Sequence, residues 1–292
     1  MRIANLSGRL CLITGGGAVD VHAASGGLFA ADPAAVYPRW PEFTAWAASA
    51  ALPEPAPFAT DALGSPSPAP RQAFGIGLNY DDHAAESGFA RPDANPPVFT
   101  KFPSCITGPA SDVPLPSESV DWEVELVAVI GRTASRAAAE DGWSHVAGLT
   151  IGQDFSEREV QARGPAPQFG LAKSFPGFGP TGPWLTTADE FATPDDLAIE
   201  CEIDGELVQQ ARTREMLFPV PALIAYISAI CPLLPGDLVF TGTPEGTGAG
   251  RSPQRFLRPG EVVVSRVEGI GSMSNACVTP LYDEVVTISN TA

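Results

Sequence analysis

The sequence is short of positive charge, of histidine and of long apolar runs. Its 292 residues hold 17 Lys and Arg against 34 Asp and Glu, with only 3 His, for a formal net charge of −17 at pH 7. Such a surface repels nucleic-acid phosphates and anionic lipid, and no run of about 18 apolar residues is present to form a membrane span. We expect neither a nucleic acid nor a membrane as partner, and an anionic substrate would need local cations or a metal ion.

Cysteine patterns that mark a disulfide framework or a zinc site are also missing. The cysteines are widely spaced and never form C-x-x-C; they are Cys11, Cys105, Cys201, Cys231 and Cys277. This spacing predicts reduced, mostly buried thiols. The first residues, MRIANLSGRLCLITGGG, lack the basic segment and apolar core of a secretory signal, so we expect a cytoplasmic protein.

Nucleotide-binding motifs are absent as well, although two segments are rich in glycine. Gly15, Gly16 and Gly17 follow a short apolar strand but do not match G-x-G-x-x-G, and a turn is favoured there. The segment TGTPEGTG at 241–248 lacks the lysine that a phosphate loop needs. We do not expect a nucleotide ligand.

What the sequence does contain is many short strand candidates. Hydrophobic residues make up 44% and charged residues 17%, the composition of a chain folded throughout. The strand candidates are residues 74–77, 123–130, 198–203, 238–241 and 262–267, and one clear helix candidate spans 220–230. Many short strands between Gly and Pro turns predict an α+β, β-dominated fold.

The first 70 residues differ in pattern from the rest. Apolar positions recur at helical spacing over residues 41–51 and predict a short amphipathic helix. Residues 52–71 are dense in Pro, Ala and Ser and fit neither helix nor strand periodicity. We expect a small N-terminal domain with a Pro-rich linker at 1–70 and a larger catalytic domain at 71–292.

An acidic strand stands out at residues 121–126, which read DWEVEL. Strict alternation would put Asp121, Glu123 and Glu125 on one face. A solvated strand face is the alternative, but residues 126–130 are apolar on both faces, so the strand must enter the core. Carboxylates crowded there repel one another, and a divalent cation would relieve the repulsion. Oxygen ligands alone suit Mg²⁺, Mn²⁺ or Ca²⁺ rather than Zn²⁺.

Five segments in a fixed order together resemble the fumarylacetoacetate hydrolase family across residues 74 to about 278. They are GLNYDDHAAE at 77–86, DWEVEL at 121–126, DFSEREVQ at 154–161, KSF at 173–175 and TGTP at 241–244. The resemblance implies a mixed β-roll of the family's C-terminal type, paired as a homodimer. It also implies that Glu123, Glu125 and Asp154 bind Mg²⁺ or Mn²⁺, with Ca²⁺ able to substitute in vitro and Asp121 lying behind the ligands.

The catalytic residues that this resemblance implies are His83, Glu86 and Lys173. His83 and Glu86 are three apart, so on one helical turn they share a face, and Glu86 could fix the imidazole tautomer while His83 takes a proton from water. The loop-like residues 87–97 resemble a lid, and Lys173 resembles the family lysine that faces the substrate carbonyl. A surface histidine and a surface lysine are the alternatives.

Four further positions match substrate contacts of the family, namely Tyr80, Arg158, Gln161 and Thr243. A salt bridge or a helix cap competes as the explanation of Arg158 and Gln161. The hydroxyl and backbone N–H of Thr243 would hold a substrate carboxylate. Lys101 matches a common family lysine whose role is left open.

The resemblance implies a metal-dependent hydrolase that cleaves a carbon–carbon bond in a small anionic 2-oxo acid, an acylpyruvate-like or 2,4-dioxo acid. A 2-oxo acid decarboxylase, isomerase or hydratase that uses the same enolate is the alternative, and a non-catalytic protein that binds a metal and an oxo acid is a third. The segments 156–159, SERE, and 172–178, AKSFPGF, depart from the family's usual SARD and GKSFDTF. These departures leave the substrate open.

Overall fold

The computed structural model describes residues 1–280 of the chain. Strands dominate, and the α-helices are few and short: α1 (Val21–Ala24), α2 (Trp40–Ser49), α3 (Asp81–Glu86), α4 (Arg158–Ala162), α5 (Phe169–Ala172) and α6 (Val220–Ile230). The strands are β1 (Arg2–Leu6), β2 (Arg9–Thr14), β3 (Gly17–Asp20), β4 (Leu63–Gly64), β5 (Ala73–Ile76), β6 (Val98–Lys101), β7 (Ile106–Thr107), β8 (Val113–Pro114), β9 (Val120–Asp121), β10 (Val124–Ile130), β11 (Val146–Gln153), β12 (Ser156–Glu157), β13 (Gly179–Thr186), β14 (Ala198–Ile203), β15 (Glu206–Arg212), β16 (Leu238–Phe240), β17 (Val262–Val267) and β18 (Gly271–Val278).

One large mixed sheet organises the fold. Its strand order is β3-β2-β1-β13-β11-β10-β16-β5-β6, with β4 paired to β1 and β7 paired to β13. A second sheet has the order β15-β14-β17-β18-β8, and β12 pairs with β9. Pairs such as β10 with β11 are antiparallel, whereas β16 and β5 are parallel. The prediction of an α+β, β-dominated fold is confirmed.

Strand β10 lies at the centre, with every residue buried. Leu126, Ala128 and Ile130 belong to one hydrophobic core, and Val127 and Val129 to another. The expectation that this strand is apolar on both faces, and therefore enters the core, is confirmed.

The N-terminal residues complete one face of the large sheet. Strand β1 pairs with β13, placing Arg2 opposite Thr186. The second core packs N-terminal aromatic rings against strands β10 and β16, through Phe29, Tyr37, Trp40, Phe43, Val127, Val129, Leu238 and Phe240. The N-terminal strands and rings thus share a sheet and a core with later residues, and the division near residue 70 stays a prediction.

Two helices follow the sequence patterns closely. The helix expected over 41–51 is α2, Trp40–Ser49, and the helix expected over 220–230 is α6 with those same bounds. Val220 and Pro221 open α6, where a proline costs no hydrogen bond. None of the helices in residues 1–280 is both long and apolar enough to cross a membrane. All five cysteines are free, and Cys231 alone among them is partly exposed.

The continuous acidic strand expected from the alternation is interrupted. Asp121 ends β9, which pairs with β12, and β10 begins only at Val124. At the break, the Glu123 N–H donates to the side-chain oxygen of Gln153 (2.9 Å) and the Val124 N–H to that of Gln209 (3.0 Å). The prediction of one unbroken strand is wrong at residues 122–123, because buried side-chain amides replace backbone partners there.

Candidate metal centre and active site

Three carboxylates meet where two neighbouring strands end. Val124 at the start of β10 lies opposite Gln153 at the end of β11, so Glu123 and Glu125 come close to Asp154. One oxygen of each carboxylate lies within 4.8 Å of the others, and all three side chains are buried. The structure therefore brings together the three residues predicted as metal ligands.

Two buried lysines neutralise part of this charge. The Lys173 ammonium lies 2.7 Å from Glu123 Oε2 and 2.7 Å from Asp154 Oδ2. The Lys101 ammonium donates to Asp154 Oδ1 (2.6 Å), to the Phe178 carbonyl (3.2 Å) and to the Lys173 carbonyl. Lys101 thus satisfies its three donors while it ties Asp154 to the backbone that carries Lys173.

Arg158 links the centre to the residue behind it. Its Nε donates to Asp121 Oδ1 (2.7 Å), one Nη to Glu123 Oε1 (2.6 Å) and the other Nη to Gln161 Oε1 (2.8 Å). The alternative of a salt bridge for Arg158 is therefore realised, and Gln161 is its hydrogen-bond partner. A contact of either residue with substrate stays a prediction.

Glu125 is the carboxyl of the three with the least compensation. Burial raises its pKa well above the ordinary value, and the neighbouring Asp154 and Glu123 charges add to the effect. Its oxygen accepts from the Gly242 N–H (2.8 Å), and no lysine or arginine of residues 1–280 forms a salt bridge with it. Burial also opposes ionisation of Glu123, but the charges of Lys173 and Arg158 hold the pKa of Glu123 below its usual range.

This donor set fits a hard divalent cation. Three carboxylates offer oxygen ligands only, in a buried position where one further positive charge would compensate Glu125. Mg²⁺ and Mn²⁺ prefer such oxygen ligands. The residues present are therefore suited to hold the metal that the sequence predicts.

His83 and Glu86 form a pair on helix α3. His83 Nδ1 lies 2.8 Å from Glu86 Oε1, so the contact predicted from their spacing is confirmed. Glu86 Oε2 accepts from the Gly246 N–H (2.9 Å), and Glu86 Oε1 accepts from the Thr247 hydroxyl (3.0 Å). Burial opposes ionisation of Glu86, but these hydrogen bonds outweigh it and hold its pKa below the ordinary value.

The remaining predicted substrate residues differ in what they can offer. The Tyr80 hydroxyl is buried and has no hydrogen-bond partner among residues 1–280, and burial raises its pKa. The Thr243 hydroxyl donates to the Val124 carbonyl (2.9 Å) and accepts from Gln209 (2.8 Å). Because this hydroxyl proton is already used, the predicted contact of Thr243 with a substrate carboxylate rests on its backbone N–H.

Sequence reasoning missed the residues that support these groups. Gln153 and Gln209 bond the backbone at the strand break, and Thr247 holds Glu86. No periodicity marks a buried glutamine as a backbone partner. Thr247 lies in the TGTPEGTG segment, just beyond the TGTP at 241–244 that carries the family resemblance.

Comparison with known proteins gives concordant matches. Residues 72–278 match the fumarylacetoacetate (FAA) hydrolase C-terminal family. The mitochondrial oxaloacetate tautomerase FAHD2A of Homo sapiens is 42% identical over 211 residues, 72% of this chain and 67% of that protein. The aligned part spans about two thirds of the length of the curated tautomerases, 66% and 67% in two of them.

Solved structures resemble the whole described fold. A Mycobacterium smegmatis protein described as HpcE has a TM-score of 0.92 and 52% identity, covering 96% of this chain and 99% of that one. Maleylpyruvate hydrolase from Sphingobium sp. SYK-6, solved with manganese(II) ion and pyruvate, has a TM-score of 0.75 and 28% identity, covering 96% of this chain and 99% of that one.

Proposed function

Because the chain belongs to the fumarylacetoacetate hydrolase family, we propose that it is a divalent-metal-dependent enzyme acting on a small 2-oxo acid. The observation that carries this proposal is the buried cluster of Glu123, Glu125 and Asp154 with the His83–Glu86 pair nearby. A positive charge on His83 would lower the pKa of Glu123, so the imidazole lies within electrostatic reach of the cluster. Ligands for a cation and a proton acceptor are the parts that enolate chemistry needs.

We assign Mg²⁺ or Mn²⁺ to the three carboxylates. When bound, the ion supplies positive charge to the substrate oxygen that becomes negative. Lys101 and Lys173 keep Asp154 in place through its two oxygens, and Arg158 fixes Glu123 from the other side. These lysine and arginine side chains orient the carboxylates before the metal ion or the substrate binds.

Lys173 has a second role in this proposal. Its ammonium is buried and charged, because the Asp154 and Glu123 carboxylates raise its pKa although burial opposes this. A charged donor held at this position would stabilise negative charge on the 2-oxo oxygen. The unpartnered Tyr80 hydroxyl and the Thr243 backbone N–H are then donors for the substrate carboxylate.

His83 moves the proton. With Glu86 ionised, His83 donates from Nδ1, which leaves Nε2 as the basic nitrogen. In tautomerisation, Nε2 takes the proton from the enol oxygen and delivers it to the other carbon of the C=C bond, the one that does not carry this oxygen. The enol is thereby converted into the keto acid. One base that alternates between neutral and charged forms is sufficient for this exchange.

We favour an oxaloacetate-like tautomerisation as the reaction. Support comes from the human relative named oxaloacetate tautomerase at 42% identity, and the His83–Glu86 pair supplies the single base that this exchange needs.

Carbon–carbon bond hydrolysis, expected from the sequence, is the second candidate. The likeness to maleylpyruvate hydrolase at 28% identity favours it. His83 would then take a proton from water, the water oxygen would attack the distal carbonyl, and the bonding electrons would leave as the enolate. The same residues would serve both reactions. The two differ in whether His83 takes its proton from the enol or from water.

Two substrates separate these candidates. Enol-oxaloacetate loses its enol ultraviolet absorbance on conversion to the keto form, and acetylpyruvate loses diketone absorbance on cleavage to acetate and pyruvate. Each is measured with Mg²⁺ or Mn²⁺, with chelator, and with the metal but no protein, and the products are identified by proton NMR.

Protein- and metal-dependent loss of the enol signal with no new carboxylic acid supports the tautomerase. Acetate from acetylpyruvate supports the hydrolase, and carbon dioxide from oxaloacetate supports a decarboxylase. Metal binding with no acceleration on any of these acids would leave only a binding role and refute the enzyme proposal.

Three further expectations stay predictions. They are the homodimer, the cytoplasmic location and the domain boundary near residue 70. Light scattering of the purified protein measures the first directly.

A further inference from the structure

We infer that Thr247 is a positioning residue that holds Glu86 in the orientation in which Glu86 supports His83. The inference rests on the proposed function, because it matters only if His83 moves a proton. Thr247 is buried, at 1% exposure, and lies outside the five segments that carry the family resemblance.

The contacts divide the two oxygens of Glu86 between different partners. Oε2 accepts from the Gly246 N–H at 2.9 Å. Oε1 accepts from the Thr247 hydroxyl at 3.0 Å and from its N–H at 3.4 Å, and the same oxygen faces His83 Nδ1 at 2.8 Å. The Thr247 hydroxyl therefore shares with His83 the oxygen on which the imidazole depends.

The backbone must come unusually close to Glu86 for these contacts to form. A Cβ at Gly250 would lie 2.6 Å from Glu86 Cδ, and a Cβ at Gly246 would lie 2.1 Å from the Val208 carbonyl oxygen. Gly246 also has a φ of +98°, which favours glycine. The glycines of this segment thus allow Thr247 to reach the carboxylate.

The segment is anchored to the acidic centre as well. The Ala249 N–H donates to Asp121 Oδ2 at 2.8 Å, and the Trp122 indole N–H donates to the Gly246 carbonyl at 3.1 Å. Thr247 lies between these anchors. Its hydroxyl is therefore presented to Glu86 from a fixed backbone rather than from a free loop.

Loss of this hydroxyl would remove one of the short hydrogen bonds to Glu86 Oε1. The Gly246 N–H would still hold Oε2 at 2.9 Å, but the backbone would hold Oε1 only through the long Thr247 N–H bond of 3.4 Å, so the carboxylate could rotate about its Oε2 contact. A rotated Glu86 would fix the His83 tautomer less well, so turnover should fall while substrate affinity is kept.

The test compares Thr247→Val, which removes the hydroxyl at similar volume, with Thr247→Ser, which keeps it. We expect Thr247→Val to lower kcat about tenfold with KM and metal affinity unchanged, and Thr247→Ser to stay within about twofold of the parent. Equal losses in both variants would show that any change in the packing of this side chain lowers turnover, with no specific need for the hydroxyl, and would overturn the inference.

A double-variant comparison shows whether Thr247 acts through Glu86. In a Glu86→Ala background, Thr247→Val should lower kcat no further, since the carboxylate that accepts from the Thr247 hydroxyl is already gone. An undiminished tenfold loss in that background would overturn the inference. If Glu86→Ala and His83→Ala themselves leave turnover intact, the proposed function fails instead.

The His83 imidazole gives a readout that needs neither metal nor substrate. The chain has 3 His, so nitrogen NMR of the imidazoles is tractable, with His83→Ala as the assignment control. We expect a dominant Nδ1-protonated tautomer in the parent and in Thr247→Ser, and a smaller fraction in Thr247→Val. The same tautomer fraction in all three proteins would overturn the inference even where Thr247→Val is inactive or poorly folded.

Discussion

The two ends of one face of strand β10 differ in the interactions that surround them. Glu125 lies on the face of β10 that also carries Val127 and Val129. At one end buried carboxylates crowd together among lysines, whereas at the other end the valines pack against aromatic rings of the N-terminal residues. In the proposed function, the charged end provides chemistry at a cost in stability, and the apolar end provides stability without chemistry.

The apolar end is closely packed. The Phe29 and Phe43 rings meet edge to face at 5.4 Å between centroids, and Tyr37 stacks on Trp40 at 5.8 Å. Buried aromatic pairs of this kind add to the hydrophobic effect. At the charged end, Lys173 and Arg158 compensate the buried Glu123, whereas Glu125 loses its hydration and forms no salt bridge with a lysine or arginine of residues 1–280. A substitution at the charged end should therefore change function, and a substitution at the apolar end should change stability.

Turnover should be the property most sensitive at the charged end. His83→Ala removes the proton acceptor, and we expect kcat to fall about 100- to 10,000-fold. Metal affinity, measured by calorimetry, should be retained because His83 is not among the clustered carboxylates. Preserved activity would refute the assignment of His83 as the base.

The apolar end should respond in the opposite way. Phe43→Ala removes a fully buried ring, and we expect the free energy of unfolding to fall by about 3–5 kcal/mol. Activity measured well below the melting temperature should stay near that of the parent. Denaturant unfolding gives the first quantity. A large loss of activity with a small loss of stability would show that the two ends are not separate.

Glu125→Gln tests whether the charged end really costs stability. Removing a ligand should weaken metal binding about 100-fold. In chelator, however, the melting temperature should stay equal or rise, because a neutral amide is easier to bury beside Asp154 and Glu123. Calorimetry and thermal melts measure the two effects. A clearly lower melting temperature in chelator would contradict the comparison.

The smallest effect should come from surface charge on the apolar end. Arg39 and Glu42 form an exposed pair at 2.7 Å. We expect Glu42→Gln to change the free energy of unfolding by no more than about 0.5 kcal/mol. Denaturant unfolding at low and high salt checks this. A salt-dependent loss well beyond that size would mean that the N-terminal residues rely on charge after all.

Local patterns in the sequence were enough to predict that Glu123 and Glu125 lie together and that His83 contacts Glu86. Alternation placed Glu123 and Glu125 together, and a three-residue spacing placed His83 against Glu86, because both depend only on the geometry of one element. The family resemblance supplied Asp154, which lies directly after another strand, β11. The roles of all these residues stay predictions.

What the sequence could not predict depends on partners far along the chain. The break at residues 122–123 exists because Gln153 and Gln209 replace backbone partners there. Thr243 looked available for substrate, but Val124 and Gln209 engage its hydroxyl. Long-range contacts of this kind leave no periodic signal, and strand register between distant segments is not written in local pattern.

The pairing of β1 with β13 constrains the order in which this protein assembles during translation. Hairpin contacts among β1, β2 and β3 are local and can form early. Thr186, the partner of Arg2, leaves the ribosome roughly 10 s or more later at about 5–20 residues per second. During that interval Arg2 and Ile3, the residues of β1 that will pair with β13, form an unpaired strand edge, so slower synthesis lengthens the time for which this edge is open to other strands.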